Sequence, residues 1–83
     1  MRISVRYFAS VREALGRGSE PVDTIAPTLA ALRDELIARG EPYASALARG
    51  KAVRMALDQL MCAETVDLKE GSEVAFFPPV TGG

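Results

Sequence analysis

The chain has 83 residues, 48% of them hydrophobic and 25% charged, which suits one small globular domain and leaves no room for a second core. Ten Lys+Arg against 11 Asp+Glu give a net charge of −1 with no basic run, which argues against nucleic acid as a partner. There is no His, so neither a His-based triad nor a His-rich metal site can be built from this chain alone, and the single Cys62 cannot close an internal disulfide.

A domain this small buries a limited fraction of its surface, so function through a surface or a terminus is favoured over a deep private active site. Met1 to Val5 lacks the apolar core of a signal peptide and no stretch approaches membrane-spanning length, so the expectation is a cytosolic protein without membrane contact.

In chain order, Ile3, Val5 and Tyr7 alternate with Ser4 and Arg6, the period of a half-buried first strand. Ser10-Val11-Arg12-Glu13 fits a capping box at the start of a short helical turn that Gly16 ends. After the Gly16-Arg17-Gly18-Ser19 turn, Pro21 to Ile25 reads as an edge strand, because Pro21 has no donor for a central ladder. Thr28 can cap the main helix, whose Leu29, Leu32, Leu36 and Ile37 form one core-facing stripe that ends by Gly40.

Pro42 suits the first turn of a second, shorter helical piece running through Leu47, and Gly50 closes it. Val53, Met55 and Leu57 alternate again, and Asp58-Gln59 is a tight connection to a short strand at Leu60 to Cys62, although neither residue is the Gly such turns prefer. Lys69-Glu70-Gly71-Ser72 is a turn in which Gly71 supplies a positive φ, and it leads into a final strand from Val74 to Phe77. Two strands, a long helix and then short strands predict an α+β domain in which one helix covers one face of a mixed sheet.

The last eight residues, Phe76-Phe77-Pro78-Pro79-Val80-Thr81-Gly82-Gly83, change character. Pro78 and Pro79 stop the ladder and favour extended polyproline geometry at ~3.1 Å per residue, which directs Val80 to Gly83 away from the body. Gly82 and Gly83 carry no Cβ, so the end can be threaded through a narrow channel, with a reach from Val80 of roughly 13 Å at ~3.3 Å per residue. Gly-Gly alone would equally suit a frayed end; the stiff spacer between an aromatic strand and the glycines favours a tail built for delivery.

The group delivered is the unhindered carboxylate of Gly83. It is a poor electrophile until a partner adenylates it, so the chain would be a substrate instead of a catalyst. Alternation puts Val74 and Phe76 toward the helix and Phe77 on the opposite, uncovered face, where Phe8 and Leu60 could join it in one apolar docking patch. Cys62, flanked by Met61 and Ala63 in a strand, reads as a small core residue without a functional role.

These eight residues, preceded by Gly71-Ser72-Glu73-Val74-Ala75, resemble the C-terminal signature of the small-subunit family of molybdopterin synthase, sulfur carriers of the ubiquitin-like β-grasp fold. Tyr7-Phe8-Ala9-Ser10-Val11-Arg12-Glu13 is also similar to that family's first strand and turn. The resemblance implies a β-grasp domain over residues 1–78 and an extended, flexible tail over 79–83.

It further implies that an activating enzyme uses ATP to adenylate Gly83, that a sulfur donor protein converts it to a thiocarboxylate, and that no cofactor is bound by the chain itself. The loaded tail, Pro78, Pro79, Val80, Thr81 and Gly82 included, would enter the large synthase subunit, in a heterotetramer of two small and two large subunits. There it would give its sulfur to a cyclic pyranopterin precursor and form the dithiolene of molybdopterin. By the same resemblance the exposed partner contacts fall on Phe8, Leu60 and Phe77. Asp58 stands where the family commonly has Asn, which touches the hairpin and not the tail.

Two other classes share the chemistry up to the adenylate: a ubiquitin-like modifier joined through Gly83 to lysines of other proteins, and a carrier of the thiamine pathway. A passive interaction module using the Phe77 patch alone would not need the glycines.

Overall fold

The computed structural model describes residues 1–79. In chain order the elements are β1 (Arg2–Tyr7), α1 (Ala9–Leu15), β2 (Ser19–Asp23), α2 (Leu29–Ile37), α3 (Tyr43–Ala46), β3 (Arg54–Leu57), β4 (Leu60–Met61) and β5 (Glu73–Phe77). The strands make one mixed sheet in the order β2-β1-β5-β3-β4, with β1 and β5 parallel at its centre and the other pairs antiparallel. The expected edge strand is β2, and Pro21 sits there without breaking an inner ladder.

The alternation in the sequence is realised residue by residue. Ile3, Val5 and Tyr7 of β1 and Val74 and Phe76 of β5 are all buried, and they pack against Leu29, Leu32 and Leu36 on α2. Tyr7 stacks on Phe76 with ring centroids 6.2 Å apart, and Tyr43 of α3 meets Tyr7 edge-on at 6.4 Å. The Thr28 hydroxyl accepts the amide of Ala31 at 3.2 Å and so caps α2 as expected.

The expectation at Ser10 is corrected. Helix α1 starts two residues earlier, with Phe8 as its N-cap and no side-chain cap, while Ser10 lies inside the helix. The reason is the sheet: the Phe8 amide donates to the Phe76 carbonyl at 3.1 Å, and its own carbonyl receives the amides of Val11 and Arg12. Strand pairing, not a hydroxyl, therefore fixes where α1 begins. Gly16 ends it in the left-handed region at φ 74°.

The Asp58-Gln59 hairpin is present, although neither residue is Gly. Both take positive φ, 50° and 70°, the pattern of a type I′ turn, and Asp58 accepts the Glu73 amide at 3.0 Å to tie the hairpin tip to β5. Strand β3 departs from strict alternation: Met55 and Ala56 are both buried, one on each face of the sheet.

A side chain with no sequence signal holds the α3 region. Arg33 is buried on α2, where its Nε and Nη2 donate to the carbonyls of Leu47 and Ala48 at 2.8 and 2.7 Å. These bonds satisfy the end of α3 and fix the loop that carries Lys51.

Candidate functional site

Strand β5 leaves the centre of the sheet at Phe77, and Pro78 and Pro79 follow it half-buried against the body. Val80, Thr81, Gly82 and Gly83 lie outside the described residues. The root of the tail is therefore held from both sides by the two strands that flank β5, β1 and β3.

The register defines which side chains share the uncovered face. Across the strands, Arg6 pairs with Ala75, Ala75 with Ala56, and Ala56 with Met61, while Phe77 pairs with Arg54. Phe8 follows β1 at the same end, 40% exposed, with the Arg6 guanidinium 5.4 Å from its ring centroid. Phe77 is on this face as alternation demanded, but half-buried instead of exposed, because β1 and β3 close on either side of it.

Leu60 does not join this group. It pairs with Leu57, which pairs with Val74 on the helix-covered side, so Leu60 is an exposed side chain at the edge of the other face. Its neighbour Met61, 67% exposed, takes the place on the open face beside Ala56. The cause is the two-residue turn: Leu57 and Leu60 flank it and must point the same way, and a shift of one residue exchanges the faces. The sequence signal that would have found Met61 was this parity, counted from Asp58-Gln59.

On the helix side of the tail root lies a shallow cleft of about 110 Å³, lined by Ser10, Val11, Ala14, Lys51, Val53 and Pro78 among others. Beneath the root, Glu20 of β2 is a hub: its carboxylate accepts the hydroxyls of Tyr7 and Tyr43 at 2.9 and 2.6 Å and pairs with Arg39 at 2.9 Å and Arg17 at 3.3 Å. Burial works to raise the pKa of Glu20, but the hydrogen bonds from Tyr43, Arg39 and Tyr7 outweigh it and hold the carboxyl below its usual range. Tyr7, buried and bound to an anion, is pushed well above the ordinary tyrosine range. The hub locks the end of β1, and with it the placement of Phe8.

Cys62 is half-buried and follows β4, its amide bonded to the Met55 carbonyl at 3.2 Å. Burial pushes its thiol up, with a backbone hydrogen bond at Leu57 offsetting this in part, so the thiolate that sulfur relay needs is disfavoured. Among the described residues no group of three or more His, Cys, Asp and Glu side chains is placed to hold a metal ion, and no helix is long and apolar enough to cross a membrane.

Comparison with known proteins agrees with this geometry. Residues 5–83 match the model of the ThiS family. Over 81 residues, 98% of this chain and 99% of the relative, the sequence is 43% identical to the molybdopterin synthase sulfur carrier subunit of Escherichia coli.

Among solved structures, SAMP1 from Haloferax volcanii superposes with a TM-score of 0.77 at 24% identity, covering all of both chains. A chain in the complex of subunits 1 and 2 of the molybdopterin-converting factor from Helicobacter pylori gives 0.68 at 23%, again over the whole of both chains. These likenesses establish the ubiquitin-like β-grasp fold. With that fold, a family match that runs to Gly83 and a full-length resemblance to a curated sulfur carrier subunit, the chain belongs to the ThiS family.

Proposed function

We propose that this chain is a cytosolic sulfur carrier subunit of a molybdopterin synthase, non-catalytic by itself, and that Gly83 is its reacting residue. The observation that carries the reading is the 43% identity to a molybdopterin synthase sulfur carrier subunit across 99% of that protein's length. The geometry of the tail root supports it, because the central strand β5 delivers Pro78 and Pro79 to the edge of an open sheet face that carries Phe8, Phe77 and Met61.

The chemistry asked of the tail is simple. An oxygen of the Gly83 carboxylate attacks the α-phosphorus of ATP on an activating enzyme, and pyrophosphate leaves. The persulfide of a donor protein then attacks the carbonyl carbon and expels AMP, and a thiol cleaves the resulting acyl disulfide, leaving the thiocarboxylate on Gly83 and a disulfide on the donor. Sulfur is softer and more nucleophilic than the oxygen it replaces.

The large subunit receives the tail while the body stays docked through Phe8, Phe77 and Met61, with Leu60 at the margin of the contact. Tethering makes the attack on a cyclic pyranopterin precursor effectively intramolecular. Val80, Thr81 and Gly82 thread the partner's channel, and the two glycines fit where a Cβ would collide. Two small and two large subunits form the complete synthase, and the chain itself binds no cofactor.

Intact mass tests the proposal. After incubation with ATP, the activating enzyme and a sulfur source, the chain gains the mass of one oxygen exchanged for one sulfur, and a Gly83 deletion gains nothing. Adenylation without that gain, accompanied by covalent adducts on lysines of other proteins, would replace the carrier by a modifier. A loaded chain that fed thiazole formation and not the dithiolene would move it to the thiamine pathway.

A further inference from the structure

The net charge of −1 hides a strong asymmetry along the strands. At the end where the tail leaves, Arg6, Arg12, Arg17, Arg39, Lys51 and Arg54 outnumber Glu13, Glu20 and Glu41: Arg54 is opposite Phe77, Arg6 lies over Phe8, and Lys51 shares the cleft with Pro78. At the other end, Asp23, Asp58, Asp67 and Glu70 outnumber Arg2, Lys69 and the amino terminus. The two ends are separated by the length of β1, roughly 17 Å at ~3.4 Å per residue. That is about two Debye lengths at physiological salt, so each end presents its own charge to an approaching partner.

The cations nearest the tail also differ in how they are used. Arg17 is taken by Glu20, and Arg6 is partly balanced by Glu73 at 4.0 Å. Arg54 and Lys51 are exposed and have no ion-pair partner among the described residues. Both aromatic side chains of the open face are thus bracketed by arginine, Phe8 by Arg6 and Phe77 by Arg54.

We infer that the tail-receiving surface of the large subunit is an apolar patch with an acidic rim whose carboxylates face Arg54 and Arg6, and that this rim steers the carrier in tail-first. The inference rests on the proposed function for the identity of the partner and adds what that partner's surface must be. Complementary rim charge acts on encounter more than on the final affinity, so Arg54 is a determinant of association rate and of partner choice, while Phe8 and Phe77 hold the complex once formed.

The test is the association rate of the full chain with the purified large subunit of the same organism over a series of salt concentrations. Arg54→Gln and Arg54→Glu are compared with Lys69→Glu, which makes the same change of net charge as Arg54→Glu at the far end. At low salt, Arg54→Glu slows association by roughly tenfold and flattens its salt dependence, Arg54→Gln falls between it and the parent, and Lys69→Glu stays within about twofold. Equal effects of Arg54→Glu and Lys69→Glu, or a parent rate indifferent to salt, overturn the inference and leave the sulfur-carrier reading intact. A parent chain that does not associate with the large subunit at all overturns both.

Discussion

The helix-covered face of the sheet and its open face are built from the same strands, β1, β5 and β3, yet they are put to opposite uses. On the covered side, Val5, Val74, Tyr7 and Phe76 are fully enclosed and stack beneath three leucines of α2. On the open side the same backbone presents Arg6, Ala75, Ala56 and Met61, with Phe8 and Phe77 at the exit of the tail. Phe76 and Phe77 are adjacent in the chain and separated only by the pleat. The comparison teaches that in so thin a molecule the enclosed core and the proposed docking surface are divided by the parity of a residue number.

Two substitutions on adjacent residues would break that division most directly. Phe76→Ala should destabilise the fold by about 3–5 kcal/mol, enough to unfold much of the population, because it removes a stacked, enclosed ring. Phe77→Ala should cost about 1 kcal/mol or less of stability, since the ring is only half-buried, while weakening capture by the large subunit at least tenfold, as truncation of an aromatic anchor does. Denaturant melts and binding isotherms on the same two proteins decide it. Similar melts for the two variants would end the two-face description.

The Glu20 hub sharpens the comparison from below, since it holds the covered side of β1 in place. Glu20→Gln should cost about 1.5–3 kcal/mol, the range for hydrogen bonds to a charged group. The pH dependence has a definite sign. The folded pKa of Glu20 lies below its ordinary 4.5, so its contribution is complete above that value and is lost as pH falls through the folded one. Tyr7 is displaced upward, so its contribution is complete below the ordinary tyrosine value of about 10 and declines at higher pH. The parent minus Glu20→Gln difference in unfolding free energy, measured from neutral to acid pH, should shrink toward zero; a flat difference would mean that the hub does not need the charge.

The smallest effects test helix entry. Thr28→Ala should lose about 1 kcal/mol by removing the cap on Ala31, whereas Ser10→Ala should change unfolding by less than ~0.5 kcal/mol because no backbone amide depends on it. A large loss at Ser10 in thermal melts would restore the capping box that the structure replaces with the Phe8–Phe76 hydrogen bond.

Those two threonine and serine positions also show what was legible in the sequence. A cap followed by a leucine stripe is a local pattern, and Thr28 with Leu29, Leu32 and Leu36 came through intact, as did the period-2 strands and the Gly71 turn at φ 81°. Ser10-Val11-Arg12-Glu13 is an equally good local pattern, but the long-range bond from the Phe8 amide to Phe76 of β5 sets the helix start two residues earlier. Arg33, Glu20 and Met61 were out of reach for related reasons. Arg33 finds its acceptors 14 and 15 residues away, and Glu20 collects Tyr7, Arg39 and Tyr43 from three other segments. Met61 depends on a parity that only the turn geometry fixes.

The parallel pairing of β1 with β5 also determines which damaged molecules can interfere. Without β5 the chain keeps only two separate two-stranded ribbons, each marginal in water, so any cut or early stop that removes β5 destroys the docking face along with the tail. A chain clipped just beyond Pro79 keeps every strand, and therefore the whole open face, with nothing left to deliver. If the proposed docking holds, the first kind of fragment is inert while the second would occupy the large subunit and block it, so a protease that trims only the terminal residues would turn the chain into an inhibitor of its own pathway.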